Sequence, residues 1–302
     1  MAQVEWIAVD WGTSNLRVWV FGAGDVVLAQ LASDKGMGTL TPTQFEPALL
    51  ELIDPYLSQL TALVICCGMV GAKQGWSEAA YAEAPCAPPN SETALKVASS
   101  DPRIDVRILP GVSQSKPADV MRGEETQIAG YLADDPNFFG TLCLPGTHTK
   151  WAQISAEEIV SFRTFMTGEL FALLGTQSVL RHGVTTEGWD EGAFLDAVND
   201  AMGSPQQFAS RLFGLRAEGL VNGMSAETAK SRLSGYLIGL ELSGAKPYWL
   251  GQDLVLIGDP KLNALYARAL EAQGAMCRSV SGDDMTLAGL KAAYQVLKKD
   301  QA

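Results

Sequence analysis

The chain has 302 residues, 47% hydrophobic and 19% charged, which excludes an intrinsically disordered protein and leaves room for two ordinary domains or one large one. Acids outnumber bases 34 to 22, for a formal charge of −12, and there is no basic run, so nucleic acid is not an expected partner. Any anionic ligand must be held by a few local cations against that overall field. Five cysteines (Cys66, Cys67, Cys86, Cys143, Cys277) without a CxxC, and two distant histidines (His148, His182), argue against structural zinc and for reduced thiols in a cytoplasmic protein. The N-terminus, MAQVEWIAVD, has no basic lead before an apolar core, so no signal peptide is expected. The longest apolar run, residues 60–72, is too short and glycine-rich to span a membrane.

VEWIAV, LRVWVF and VVLAQLA read as consecutive strands without intervening helices, hence as antiparallel hairpins. A helix through FEPALLELIDPYLSQL follows, with Thr43 as its expected cap and Glu46 three residues on. LVICC is a continuous apolar strand of the kind covered on both faces. From 68 to 110 the chain is loop-rich, ending in a strand, VRILP, and the turn formers PGVSQSKPAD lead to a helical pattern near Gly123. The domain boundary is placed here: 1–117, then 118–302, with a terminal helix at about 285–302 free to pack back on the first domain. The second half repeats the plan of the first: TLCLPGTHTKWAQI is strand, Gly-Thr corner and strand, and EIVSFRTFM is a third strand. Helices are expected at 167–176, 188–201, 205–215 and 225–243, then strand LVLIG, helix 260–273, strand MCRSV and the terminal helix.

AVDWGTSNLRVWV, residues 8–20, poses the first chemical question, because a buried strand stops on Asp10 beside a tight corner. Gly12 permits close backbone approach, Thr13, Ser14 and Asn15 add donors, and successive turn N–H groups can cradle an anion. Asp10 cannot hold a phosphate but can hold the Mg²⁺ carried by one; a hairpin whose Asp merely stabilises the turn is the other reading. LPGTHTKW, residues 144–151, supplies a second corner at Gly146–Thr147, and two such corners could grip the β- and γ-phosphates of a nucleotide from both sides. Neither G-x-x-x-x-G-K-[ST] nor G-x-G-x-x-G occurs.

In ADVMRGEETQIAGYL, Glu124 and Glu125 fall in a first helical turn, where acids suit the dipole, or where one could take the proton of a substrate hydroxyl. Arg122 suits an anionic group or a surface ion pair. In GMVGAKQGWSEAAY, Trp76 offers a flat face for a sugar ring, Lys73 and Glu78 offer hydrogen bonds, and a core role for the indole is the competing reading. Gly258, at the end of LVLIG, could seat an adenine or ribose or form an ordinary strand–helix turn.

In this order the pieces resemble the sugar kinase, heat-shock and actin superfamily of ATP-binding folds, and more closely the 2-dehydro-3-deoxygalactonokinase (2-keto-3-deoxygalactonate kinase) family. DWGTSNLRVW, KGMG at 35–38, GMVGAKQGW, DVMRGEETQ, LPGTHTKW, FRTFMTGELFALL, RLSGYLIGLEL and IGDPKLNALY carry the resemblance across nearly the whole chain. It implies two ribonuclease-H-like α/β domains, mixed sheets flanked by helices, with a nucleotide cleft between them and the nucleotide on the C-terminal side. It implies ATP-dependent phosphorylation of the 6-hydroxyl of 2-dehydro-3-deoxy-D-galactonate in galactonate catabolism. Residue by residue, it puts Asp10 near Mg²⁺ and Thr13 and Thr147 on the phosphates, with Gly12, Ser14, Arg17, Gly146, His148 and Gly258 as further nucleotide contacts. Related kinases open a helix with Gly-Asp, whose Asp is the base; Gly123-Glu124 stands there, so Glu124 is the expected base, with Glu125 and Asp119 as competitors. Lys73, Trp76, Glu78, Lys116 and Arg122 are candidates for the sugar acid, Lys116 or Arg122 taking its carboxylate. A homodimer stays open. So do two other functions: a kinase of this fold for another acid, such as 2-dehydro-3-deoxygluconate, and a non-catalytic nucleotide or sugar sensor.

Overall fold

The computed structural model describes residues 3–184 and 187–300. The chain opens with β1 (Val4–Trp11), β2 (Leu16–Gly22), β3 (Val26–Ser33), α1 (Phe45–Ile53) and β4 (Ala62–Gly68). The short strands β5 (Tyr81–Glu83) and β6 (Leu95–Val97) precede β7 (Ile104–Ile108), β8 (Gly111–Ser115), β9 (Ala118–Met121) and α2 (Glu124–Asp134). Next come β10 (Gly140–Leu144), β11 (Thr149–Ser155), β12 (Glu158–Phe165), α3 (Thr167–Thr176), α4 (Glu191–Gly203), α5 (Phe208–Val221), α6 (Ala226–Gly244) and α7 (Lys246–Trp249). The chain closes with β13 (Leu254–Gly258), α8 (Pro260–Glu271), β14 (Arg278–Ser281) and α9 (Gly282–Asp300). Residues 301 and 302 of the expected terminal helix lie outside the described residues. Two compact units emerge: Met1–Phe138 with Ser155–Ser161 and Gly282–Ala302, and Phe139–Ile154 with Phe162–Ser281. Among the described residues no helix is long and apolar enough to cross a membrane.

In the first unit the main sheet has the order β3-β2-β1-β4-β7-β6. β1 is antiparallel to β2 and parallel to β4, which is parallel to β7. The unbroken apolar run of β1 follows from cover on both faces. Ile7, Val9 and Trp11 point into a core with Phe45, Leu49 and Ile53 of α1, while Trp6 and Ala8 meet Leu290 and Tyr294 of α9. Trp6 is stacked between Phe21 and Tyr294, at centroid distances of 4.5 and 4.4 Å. α9 also crosses α2, so closely that a Cβ on Gly289 would lie 1.9 Å from the Thr126 carbonyl oxygen and one on Gly130 would lie 2.0 Å from that of Met285. This crossing seats α2, and with it the turn at Gly123–Glu125. It also keeps α2 in the first unit, so the break expected between residues 117 and 118 falls inside that unit rather than at its edge.

Local chemistry departs from expectation in several places. α1 stops at Ile53, where a 3-10 turn over Asp54–Tyr56 with Pro55 ends it short of the expected Leu60. Thr41 and Gln44, not Thr43 and Glu46, form the capping box before α1, on a 3-10 turn over Pro42–Gln44. Glu46 is engaged elsewhere, accepting from the backbone N–H groups of Ser100 and Asp101, both at 2.8 Å. The turn-rich PGVSQSKPAD folds as the β8–β9 hairpin, because Val112–Ser115 pair with Ala118–Met121 and leave only a tight turn between them.

In the second unit the sheet order β12-β11-β10-β13-β14 reproduces β3-β2-β1-β4-β7 position for position. Here too a hairpin partner flanks the first strand on one side and a parallel strand on the other. Phe194 and Val198 of α4 and Ile238 and Leu242 of α6 pack with Cys143, Trp151 and Leu256 of the sheet. The α2–α9 crossing is testable. Gly289→Ala should cost about 1–3 kcal/mol of overpacking strain. Gly175→Ala on α3, where a Cβ has nothing within 4 Å, should be neutral or slightly stabilising. Urea unfolding of the two variants side by side reads the difference.

Candidate functional site

The corner between β1 and β2 is closed by the Gly12 N–H, which donates to the Asn15 carbonyl at 2.9 Å. The loop at 35–38 braces it from behind. Met37 and Gly38 N–H groups donate to the Gly12 and Thr13 carbonyls at 3.0 and 2.8 Å, and a Cβ on Gly36 would lie 2.3 Å from the Ser14 carbonyl carbon. With its carbonyls engaged, the corner presents exposed Thr13, Ser14 and Asn15. Beside it, Asp10 accepts from Arg17 Nε at 3.0 Å and from Nη2, while Arg17 Nη1 pairs with Asp283 and Cys67 Sγ lies 3.7 Å from Asp10 Oδ1. Burial raises the Asp10 carboxyl above the usual range, against the pull of Arg17. Among the described residues no three His, Cys, Asp or Glu side chains gather to hold a metal on their own. The residues fit a cation arriving with an anionic ligand, with Asp10 as its protein carboxylate, and Mg²⁺ suits that role because it keeps most of its waters.

One glycine separates this acid from the start of α2. A Cβ on Gly68 would lie 3.3 Å from Asp10 Oδ1, and one on Gly123 would lie 3.4 Å from the Gly68 Cα. The two adjacent glutamates of the turn then part company. Glu125 is buried, and both its oxygens lie 2.8 Å from the Gly123 N–H they accept. Burial first, then the neighbouring Glu124 charge, push its carboxyl up to about 7. Glu124, the residue before it and the first of the helix, is half-buried and accepts from the Arg122 N–H at 3.0 Å. Asp119, on β9, accepts its own neighbour's N–H, that of Val120, at 2.8 Å.

The remaining candidates of this unit are spread out. Arg122 clamps the glycine loop after β4: Nη2 donates to the Ala79 carbonyl at 2.8 Å and the guanidinium lies 4.2 Å over the Tyr81 ring. Its Nη1 is buried without a hydrogen bond among the described residues. Trp76 is half-buried at the edge of the core, with ring centroids 6.3 Å from Trp11 and 6.4 Å from Phe45. Lys73, Glu78 and Lys116 are exposed.

In the second unit the corner at Gly146–His148 follows β10. It too is braced from behind, this time by a helix start. A Cβ on Gly168 would lie 2.4 Å from the Gly146 carbonyl oxygen, the Glu169 N–H donates to the Thr147 carbonyl at 3.0 Å, and the Glu169 carboxylate pairs with His148 Nε2. The corner therefore sits at the positive end of α3, a setting that favours anions. Gly146 and Gly168 also form part of the wall of a cavity of about 250 Å³, completed by Phe171, Trp189, Lys230, Leu262 and Tyr266 among others. Gly258 is outside that wall: it faces Pro145 and the buried Asn263, whose Oδ1 would lie 3.0 Å from a Cβ there, while Asp259 caps α8 through Lys261 and Leu262 N–H groups. Apart from Gly146, the cavity residues escaped the sequence reading because they lie on one face each of α3, α6 and α8, or just before α4, spaced like ordinary core residues. The signal was that LPGTHTKW, FRTFMTGELFALL, RLSGYLIGLEL and IGDPKLNALY, which supply most of its wall, belong to the resemblance.

Two units repeating one strand order, each with a braced Gly-Thr corner after its first strand, define the nucleotide-binding fold of the actin-like ATPases and sugar kinases. The activator of 2-hydroxyisocaproyl-CoA dehydratase from Clostridium difficile shares the fold, with a TM-score of 0.51 at 11% identity over 98% of this chain and 97% of that one. The profile of the 2-keto-3-deoxy-galactonokinase family matches residues 10–293, and the chain belongs to that family of sugar-acid kinases. It is 41% identical over 301 residues, 96% of each chain, to a protein of Rhizobium meliloti (strain 1021) described as a probable 2-dehydro-3-deoxygalactonokinase, DgoK1. With the 2-dehydro-3-deoxygalactonokinase of Escherichia coli (strain K12) it shares 33% identity over 290 residues, 95% of this chain and 96% of that one. A crystal structure of a Sinorhizobium meliloti protein assigned to the same activity superposes with a TM-score of 0.90 at 39% identity, over 97% of this chain and 99% of that one.

The carboxyl of Glu125 carries a pH signature. From its ordinary value near 4.5 to about 7, the folded protein holds a proton that the unfolded chain has released, so this group's contribution to stability falls as pH rises through that window. Urea midpoints measured between about pH 5 and 7.5 should fall less steeply in Glu125→Gln, which is neutral throughout.

Proposed function

We propose that the chain transfers the γ-phosphoryl group of ATP to the 6-hydroxyl of 2-dehydro-3-deoxy-D-galactonate, a step of galactonate catabolism in the cytoplasm. The observation that carries this reading is the 41% identity, sustained over 96% of both chains, with a protein described as having that kinase activity. The site geometry supports it residue by residue.

The cavity beside Gly146 suits the nucleoside: Trp189, Phe171 and Leu262 offer flat and apolar faces, and the corner in its wall leads to where phosphates meet the Thr147 and His148 backbone. Thr13 and Ser14 supply the matching donors of the first corner, and Gly12 lets the backbone approach. Mg²⁺ brought by the nucleotide would be held by Asp10 and would neutralise charge on the transferring group. Arg17, paired with that carboxylate, orients it.

Glu124 is the general base. Its carboxylate is accessible and starts a helix seated by a buried crossing, whereas Glu125 is enclosed and spends both oxygens on the Gly123 N–H. Asp119 lies on a hairpin strand, where it accepts the N–H of the next residue, Val120. For the sugar acid, Trp76 presents the half of its indole outside the core, with Lys73, Glu78 and Lys116 exposed for its hydroxyls and carboxylate. Arg122 holds the loop that carries Trp76, so its contribution is to shape that surface.

A coupled ADP-release assay across a panel of 2-keto-3-deoxy acids tests the assignment. ATP- and Mg²⁺-dependent turnover should be highest with the galactonate-derived acid; preference for its gluconate epimer, or nucleotide binding without turnover, would refute it. Glu124→Gln should lower kcat by about 10²–10⁴-fold while the KM for ATP stays within about twofold. Asp10→Ala should lose activity that added Mg²⁺ restores only in part.

A further inference from the structure

Four side chains of the second unit converge on one buried carboxylate to which none of the roles above is given. Glu241, on α6, is 2% exposed. Its Oε1 accepts from the Trp151 indole N–H at 2.7 Å, and its Oε2 accepts from the Tyr266 hydroxyl at 2.8 Å and from the Thr167 hydroxyl. The Thr149 hydroxyl closes the group, 2.9 Å from that of Tyr266. Left alone at this depth a carboxylate would not stay ionised; the donors around it are what make the charged form tolerable, although burial still lifts its carboxyl to about 7.

Two of those donors reach beyond the core. Thr167 opens α3, directly before Gly168 and Glu169, the residues that press on the Gly146–Thr147 corner. Tyr266 is part of the cavity wall. The other two, Trp151 and Thr149, lie on β11, the strand that leaves the corner. A single carboxylate therefore ties together the helix start that braces the corner, the strand that exits it and the aromatic wall of the cavity. For stability alone an apolar side chain of similar volume would serve, since replacing buried polar groups by well-packed apolar ones is often neutral or favourable. What the carboxylate adds is a shared acceptor that fixes the mutual placement of these parts.

We infer that Glu241 is a positioning residue for the nucleotide, setting the spacing between cavity and corner so that base and phosphates of one ATP are met together. The inference rests on the kinase reading above and extends it: a residue that touches no ligand controls nucleotide affinity. Glu241→Gln keeps the volume and can still accept from Trp151, but it turns an NH₂ donor towards the hydroxyls of Thr167 and Tyr266. Thr167→Val and Tyr266→Phe each remove one arm and leave the carboxylate.

The experiment measures kcat, the KM for ATP and for the sugar acid, and calorimetric binding of the non-hydrolysable analogue AMPPNP, in the wild type and the three variants. Glu241→Gln and Thr167→Val should each raise the KM for ATP and the Kd for AMPPNP at least about fivefold, with the sugar-acid KM within about twofold. Combined, they should raise Kd by less than the product of the single effects, because both act through one contact. Nucleotide binding within about twofold of wild type in Glu241→Gln, accompanied only by a lower urea midpoint, would reduce Glu241 to a core residue and overturn the inference. Should Glu241→Gln fail to fold, unchanged AMPPNP binding in both Thr167→Val and Tyr266→Phe overturns it equally. Absence of AMPPNP binding in the wild type would instead bring down the kinase reading, and this inference with it.

Discussion

Backbone pressed against backbone is the constraint on which the rest depends. At Gly36 and again at Gly168 a following segment approaches a Gly-Thr corner so nearly that a Cβ would sit 2.3 or 2.4 Å from corner atoms. That contact lets neighbouring N–H groups satisfy the corner's carbonyls from behind and leaves its outer face rich in donors. In a chain with a formal charge of −12, such fixed partial charges are what can draw a polyanion to a chosen place.

The two corners share a plan but not a backing. The first rests on a loop, and its acid, Asp10, is held by Arg17 beside the Glu124 turn. The second rests on the N-terminus of α3, beside an apolar cavity, with Glu241 behind it. A shared strand order thus has different surroundings in each unit: two adjacent glutamates and a paired aspartate in one, an apolar cavity with aromatic walls and a helix N-terminus in the other.

Much of this was legible in the sequence for a physical reason. Strands covered on both faces read as unbroken apolar runs, so VEWIAV, LVICC, TLCL and LVLIG announced themselves, and the Gly-Thr pairs marked where two of them end. Resemblance supplied the family. Three things stayed hidden. Adjacent glutamates on a helix point about 100° apart, and only the packing of α2 against the rest of the first unit decides that Glu125 is inside and Glu124 is not. The partners that hold Arg122, Ala79 and Tyr81, are some forty residues away in the chain and could not be read from its neighbours in sequence. The cavity is assembled from isolated residues on several elements, which periodicity assigns to the core one by one.

The tight crossing of α2 and α9 has a further consequence, for the making of the protein. The first unit's sheet and the helix bearing Glu124 leave the ribosome early, yet the helix that covers them, with Tyr294 against Trp6, emerges only after the whole of the second unit. Until then one apolar face of the nascent sheet is bare. Local domains usually mature in the order of their synthesis; here the second unit can complete its fold while the first still lacks the helix that covers its sheet and seats the acid-bearing turn.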